Sequence, residues 1–294
     1  MGLEVSNKIY FKNILLLLPI LFFTFELVSA GNGCNIADPE CGPNPSNNCD
    51  VRQNTTFNPG TYNLPNGIDV CAHNIVLDCN GSTLTGSAND PPISLIYING
   101  STIKNCIFVG GRSIDLLSSN SNIIANNSAG ISVRYSNYNL IKNNNASHNF
   151  DESGVAGIEF YTSDYNILES NIANSHRGIG IFFRSSRYNN FTNNTVNSNP
   201  WSGIRLDFGS SYNFIADNVI NSNGQSGILI VKSAANLLMN NELSSNGAGI
   251  FMVHHLDPSG QAFSFDNKAI GNTVIGGGYG IYTSAGRNTI VNNV

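Results

Sequence analysis

Along most of the chain, short runs of alternating apolar and polar residues are separated by corners of Asn, Ser and Gly, with no apolar stretch at helical spacing. One kind of run opens on a Gly-Ile step, at Gly130-Ile131, Gly157-Ile158, Gly180-Ile181, Gly203-Ile204, Gly227-Ile228, Gly249-Ile250 and Gly280-Ile281. A second lies between two asparagines, at Asn122 to Asn127, Asn139 to Asn144, Asn166 to Asn171, Asn189 to Asn194, Asn213 to Asn218, Asn236 to Asn241, Asn267 to Asn272 and Asn288 to Asn293. Two earlier windows fit with substitutions, Asn74-Ile-Val-Leu-Asp-Cys79 and Ser101-Thr-Ile-Lys-Asn-Cys106. The linker Ser-x-Tyr-Asn joins the two kinds of run at Ser136, Ser163, Ser186 and Ser210, and decays to Ser233-Ala-Ala-Asn236.

Runs this short cannot bury an inner face alone. Stacked coil upon coil at about 4.8 Å they close a continuous core, and parallel crossovers wind right-handed. The pattern therefore predicts an all-β fold, a right-handed parallel β-helix solenoid of about ten coils of roughly 23 residues. The L-x-x-L-x-L signature of leucine-rich repeats is absent. Asn127, Asn144, Asn171, Asn194, Asn218 and Asn241 should form one column, with Asn supplying the left-handed backbone of a tight corner and a hydrogen-bonded ladder. Counting from each Gly, positions one and three should point inward (Val133, Phe160, Phe183, Leu206, Ile230 and Met252 at the latter) and positions two and four outward.

The ends read differently. Lys8 and Lys12 precede an apolar run from Ile14 to Phe25, and Val28-Ser29-Ala30 offers a signal-peptidase site, so residues 1–30 are expected to be an export signal and the protein secreted, periplasmic or at the cell surface. No later stretch is apolar enough to span a membrane. The Cys count is 6, all between Cys34 and Cys106, which suits a stapled N-terminal cap over residues 31–70, followed by repeats over 71–294. Cys34, Cys41, Cys49 and Cys71 leave their pairing open, and zinc is the weaker reading because their spacings do not repeat a C-x₂-C pair. Cys79 and Cys106 take the second Asn place in successive coils, so stacking should bring them within disulfide reach. Charged residues make up only 11% of the chain and the net charge is −5, which gives no electrostatic footprint for nucleic acid. The sequons at Asn54, Asn80, Asn99, Asn126, Asn145, Asn190 and Asn193 follow from an Asn- and Ser/Thr-rich composition, and no sugar is inferred on them.

The Gly-Ile openings and the Asn-bounded coils resemble the repeats of the NosD-like and pectate-lyase-like β-helix superfamily, as does Pro59-Gly-Thr-Tyr-Asn-Leu-Pro65 followed by Asn74-Ile-Val-Leu-Asp-Cys-Asn-Gly81. That resemblance, over residues 50–294, implies the fold and an association with carbohydrate. It does not fix an activity, because the fold hosts lyases, hydrolases, epimerases, adhesins and non-catalytic proteins. The Asn-Thr-Asp, Asp-Asp, Gly-His-Gly and Arg-x-Lys signatures of polygalacturonase-like hydrolases are missing. His254-His255-Leu256-Asp257-Pro258 is similar to the Asp-Pro-His-Asp motif of β-helical alginate epimerases, with a different order and no neighbouring Arg; a solvated surface loop explains it as well. Met239, Met252, His254 and His255 could serve copper, but Met252 falls on an inward position. Trp201, on the Asn199-Pro-Trp-Ser corner, could stack on a sugar or merely cover the corner.

The outward positions on successive Gly-Ile runs bring together Arg134, Glu159, Tyr161, Phe182, Arg184, Arg205 and Asp207, a mixture suited to an anionic or neutral glycan chain lying along the axis, with Arg on carboxylates and aromatic groups on rings; a ladder of weak surface ion pairs is the bland alternative. The sequence thus points to an exported, non-catalytic solenoid that binds polysaccharide or mediates adhesion. A uronate-polymer lyase or epimerase and a structural module of a larger assembly are the alternatives. No metal or cofactor is expected, calcium entering only with a lyase.

Overall fold

Stacking is what allows runs of three to six residues to bury anything. The computed structural model describes residues 34–86, 92–109, 114–147, 156–253, 264–284 and 286–294. Its described residues form a right-handed parallel β-solenoid with no helix. Each strand pairs in parallel with its counterpart one coil away. The Gly-Ile runs build a first face and the Asn-bounded runs a second, each an 11-stranded sheet. The third face consists of two three-stranded sheets linked through single bridges at Ser128, Asn145, Ile172 and Thr195. The first face begins at Asp50–Val51, paired with Ile68–Val70, so strand ladders start ahead of residue 71. Three disulfides staple this end: Cys34 to Cys71, Cys41 to Cys49 and Cys79 to Cys106, with Cα separations of 5.5, 5.0 and 4.8 Å.

Positions one and three point inward. Ile131, Val133, Ile158, Phe160, Ile181, Phe183, Ile204, Leu206, Ile228, Ile230, Ile250 and Met252 are buried in one continuous core. Phe160 stacks on Phe183 at 5.0 Å, and Phe183 meets Phe191 of the second face edge-on at 6.0 Å. Burying one such ring contributes on the order of 2 kcal/mol. Ahead of the runs at Gly157, Gly180, Gly203, Gly227 and Gly249 the glycine is imposed by packing: a Cβ on Gly180 would sit 2.3 Å from Val196 and 2.7 Å from the Gly203 carbonyl.

The asparagine columns form, in a modified way. Asn127 donates its backbone N–H and its Nδ2 to Asn144 Oδ1 (3.0 and 3.1 Å). The same two bonds recur through Asn144, Asn171, Asn194, Asn218, Asn241 and Asn272, ending on Asn293. The other asparagine column runs in the same way from Asn122 to Asn288. A third, which the sequence pattern did not single out, joins Asn199, Asn223 and Asn246, and His176 heads it by donating its N–H to Asn199 Oδ1. The left-handed residue, however, is not the ladder Asn. It is the residue before it: Tyr138, Tyr165, Tyr188 and Tyr212 in one column (φ 57° to 60°), and Asn126, Asn143, Ser170, Asn193, Asp217 and Asn240 in the next (φ 54° to 57°). That backbone turns the corner and delivers the following Asn into the interior, where almost no solvent reaches it. Buried amides are tolerated here because each is hydrogen-bonded to the coils on either side.

Candidate functional site

The outer side of the first face collects the chemistry. In register, Asp50, Asp69, Ser94, Asp115, Ser132, Glu159, Phe182, Arg205, Leu229 and Phe251 form one column along the solenoid. Ile96, Leu117, Arg134, Tyr161, Arg184 and Asp207 form the next. The column is acidic at its N-terminal end and aromatic and basic further along. Composition follows the same gradient: residues 34–170 carry 12 acidic and 5 basic side chains, residues 171–240 only 2 acidic and 5 basic.

Positions two and four were expected to face solvent, and here the structure corrects the sequence reading. Of those positions Ser132 and Asp207 are buried, and so are Asp50, Asp69, Ser94 and Asp115, which continue the first column into the earlier coils, all with 1% to 9% of their surface exposed. Burial raises the pKa of Asp50 against the pull of Arg52, which sits 2.7 Å away. Asp69 is raised from 3.8 to about 6, first by desolvation and then by the charge of Asp50, while the Ser94 hydrogen bond opposes the shift. Asp115 is neutralised by a two-pronged ion pair with Arg134. Asp207 is held by Arg205 at 2.6 Å and accepts the Phe208 N–H at 2.9 Å. Ser132 Oγ donates to Glu159 at 2.9 Å.

Of the three arginines expected to face a ligand, Arg134 and Arg205 are therefore committed to carboxylates within the fold. Arg184 is not. Although it lies beside Asp207 in register, its guanidinium is 4.7 Å from the Phe208 ring centroid and 5.6 Å from that of Tyr161. Lys232 Nζ lies 5.4 Å from the same Phe208 ring. Neither Arg184 nor Lys232 forms an ion pair among the described residues. Phe208 is 48% exposed, and Tyr161 meets Tyr135 edge-on at 5.4 Å. Phe182 lies under Arg205 at 5.8 Å. Phe208 and Lys232 escaped the sequence reading because each falls one residue past the repeat's outward positions, on a left-handed corner (φ 52° and 49°).

A second aromatic feature lies on the Ser-x-Tyr-Asn corner. Tyr138, Tyr165, Tyr188 and Tyr212 stack at 5.2, 4.9 and 5.0 Å with their rings within 9° of parallel. Because each ring's faces are turned to its neighbours, the column offers solvent mainly ring edges and phenol oxygens.

His254, His255 and Asp257 lie outside the described residues. Met252 is buried in the core. Among the described residues no group of three or more His, Cys, Asp or Glu side chains could hold a metal ion, and no helix is long and apolar enough to cross a membrane.

The family model for a right-handed beta helix region matches residues 44–206, 105–259 and 149–294, which together cover most of the sequence. The chain belongs to the right-handed β-helix family. No curated protein matches its sequence. Among solved structures this β-helix is similar to the A-module of the mannuronan C-5 epimerase AlgE4 of Azotobacter vinelandii, at TM-score 0.60 and 12% identity over 86% of this chain and 82% of that one. It is similar to the periplasmic alginate epimerase AlgG at TM-score 0.59 and 14% identity, over 83% of this chain and 76% of that one. It also resembles ORF18 of Geobacillus virus E2, at TM-score 0.59 and 12% identity, over 83% of this chain but 54% of that one. At such identities these likenesses speak for the β-helix fold alone.

Proposed function

We propose that this β-helix is an exported, non-catalytic binder of an anionic polysaccharide, which it holds on the outer side of the first face around Arg184, Phe208 and Lys232. The observation that carries the reading is the Arg184–Phe208–Lys232 cluster. Two cations that form no ion pair among the described residues lie against one exposed ring, in the segment where basic residues outnumber acidic ones. Two cations on one ring leave a positive potential that an anion relieves, and a guanidinium can take a sugar carboxylate through two parallel hydrogen bonds. Phe208 and Tyr161 add apolar surface for the ring carbons. Likeness to proteins named as alginate epimerases supports a polysaccharide ligand, and three disulfides support an oxidising, extracytoplasmic setting.

The test is isothermal titration of the purified protein with a uronate polymer and with a neutral glucan. Binding to the uronate polymer, weakened by salt and reduced at least tenfold in an Arg184→Ala, Lys232→Ala double variant, is expected. Absence of binding, or an unchanged affinity in the double variant, would overturn the assignment of this surface. Turnover of the polymer, seen as new unsaturated ends or inverted uronates, would overturn the non-catalytic reading.

A further inference from the structure

An exposed aromatic group, Trp201, lies at the opposite end of the first-face strand that leads to Phe208. We propose that Trp201 is a second contact for the same glycan, a stacking platform for one sugar ring, so that the ligand lies across the first face and not along the solenoid axis. This rests on the reading that the Arg184–Phe208–Lys232 cluster takes an anionic sugar.

Trp201 is the only tryptophan, and it is 45% exposed. It differs from the tyrosines of the stacked column in having no partner: among the described residues no ring or cation lies against its indole, and its Nε1–H has no acceptor. Its place in the coil keeps it so. The Trp201 N–H donates to the Gly178 carbonyl (3.1 Å), and the Gln225 N–H donates to the Trp201 carbonyl (3.0 Å). The preceding coil therefore presents a glycine at this position, with no side chain to stack on the indole. The following coil places Gln225 level with Trp201, and its side chain forms no hydrogen bond to the indole among the described residues; the glycine before it is fixed by backbone, since a Cβ on Gly224 would come within 2.2 Å of the Pro200 carbonyl oxygen. A bare indole with a free N–H above close-packed backbone is the arrangement a pyranose ring recognises, through its C–H face and one hydroxyl.

The direction of the ligand follows from the strand. Ile204–Asp207 runs between Trp201 and Phe208, so the two aromatics bracket one first-face strand at roughly 20 Å, seven residues at the extended rise. Arg205 lies between them, with Phe182 and Leu229 beside it in the adjacent coils. A chain running along the axis from Phe208 would instead follow the first-face corner, away from Trp201.

Because the chain has one tryptophan, its fluorescence reads this site directly. The native protein is titrated with a disaccharide and with longer size-fractionated oligouronates, by calorimetry and by indole emission together. The disaccharide should bind without moving the emission, whereas oligomers long enough to cross the strand should shift or quench it. Trp201→Ala should lower affinity for the long oligomers about tenfold and leave the disaccharide unchanged; circular dichroism confirms that the variant is folded. Long oligomers that bind calorimetrically without touching the emission, and with equal affinity for Trp201→Ala, would overturn the transverse site while leaving the Arg184 cluster standing. A native protein that binds no oligouronate at all would overturn both.

Discussion

Replacing Asn218 by Ala tests whether the asparagine ladder carries the stability of the solenoid. Asn218 Nδ2 donates to Asn241 Oδ1 (2.9 Å) and to the Phe191 carbonyl (3.1 Å). Its Oδ1 accepts from the Asn194 N–H (2.8 Å) and from Asn194 Nδ2 (3.1 Å). The substitution removes all four bonds, each contributing about 1 kcal/mol net, and leaves the buried Asn194 N–H with no partner, at a further 1–3 kcal/mol or so. The expected loss is therefore about 5–7 kcal/mol. Asn293→Ala is the control. It also removes bonds to Asn272, but at the half-exposed end of the same column, where water replaces the lost partner; about 1 kcal/mol is expected. Urea unfolding followed by far-ultraviolet circular dichroism and by amide exchange measures both, and exchange shows whether the loss spreads to neighbouring coils, as nearest-neighbour coupling requires. Equal effects at the two positions, or a loss below about 1 kcal/mol at Asn218, would refute the claim that burial gives the ladder its strength.

The acidic end of the first face yields two further expectations. The folded pKa of Asp69 lies above its unfolded value, so its proton stabilises the fold fully below pH 3.8, and that contribution disappears as pH rises through about 6. Asp69→Asn should thus raise the melting temperature at pH 7.5 and change it little at pH 4, and a pH-independent effect in a thermal scan would contradict the assignment. Arg134→Ala strands the buried Asp115 carboxylate and should cost roughly 3–5 kcal/mol in urea unfolding, whereas Arg184→Ala, which leaves no carboxylate behind, should cost under about 1 kcal/mol; similar costs for the two would mean that Arg184 is also structural.

How far the sequence could be read depended on how often a signal recurs. The Gly-Ile step and the paired asparagines recur in nearly every coil, so periodicity alone predicted inward Phe160 and Phe183 and the column from Asn127 to Asn241. The Asn199, Asn223 and Asn246 column has fewer members, begins with a histidine and carries no hydrophobic signature, so it went unseen. The Tyr column was visible in the Ser-x-Tyr-Asn linker, but nothing in the spacing shows that left-handed corners aim four phenol rings at one another. Strand alternation misjudged Asp207, and would have misjudged Asp115, for a different reason. It fixes which side of a sheet a residue takes, and not what neighbours such as Arg134 and Arg205 then fold over it. The committed state of those arginines, and hence the distinctiveness of Arg184, is a tertiary property.

The sameness of the ladder bonds from coil to coil has an evolutionary consequence. Each junction between coils is made by equivalent amide contacts, so a coil can follow almost any other without a specific interface having to be invented. Duplication or loss of a coil-length stretch of gene by unequal recombination would then lengthen or shorten the rod while keeping every column in register. Natural relatives of this rod should therefore differ in length by whole coils more often than by fractions of one. Insertions are absorbed between ladder bonds: the interval from Asn236 to Asn267 swells to 31 residues while the asparagine bond across it stays at 3.0 Å.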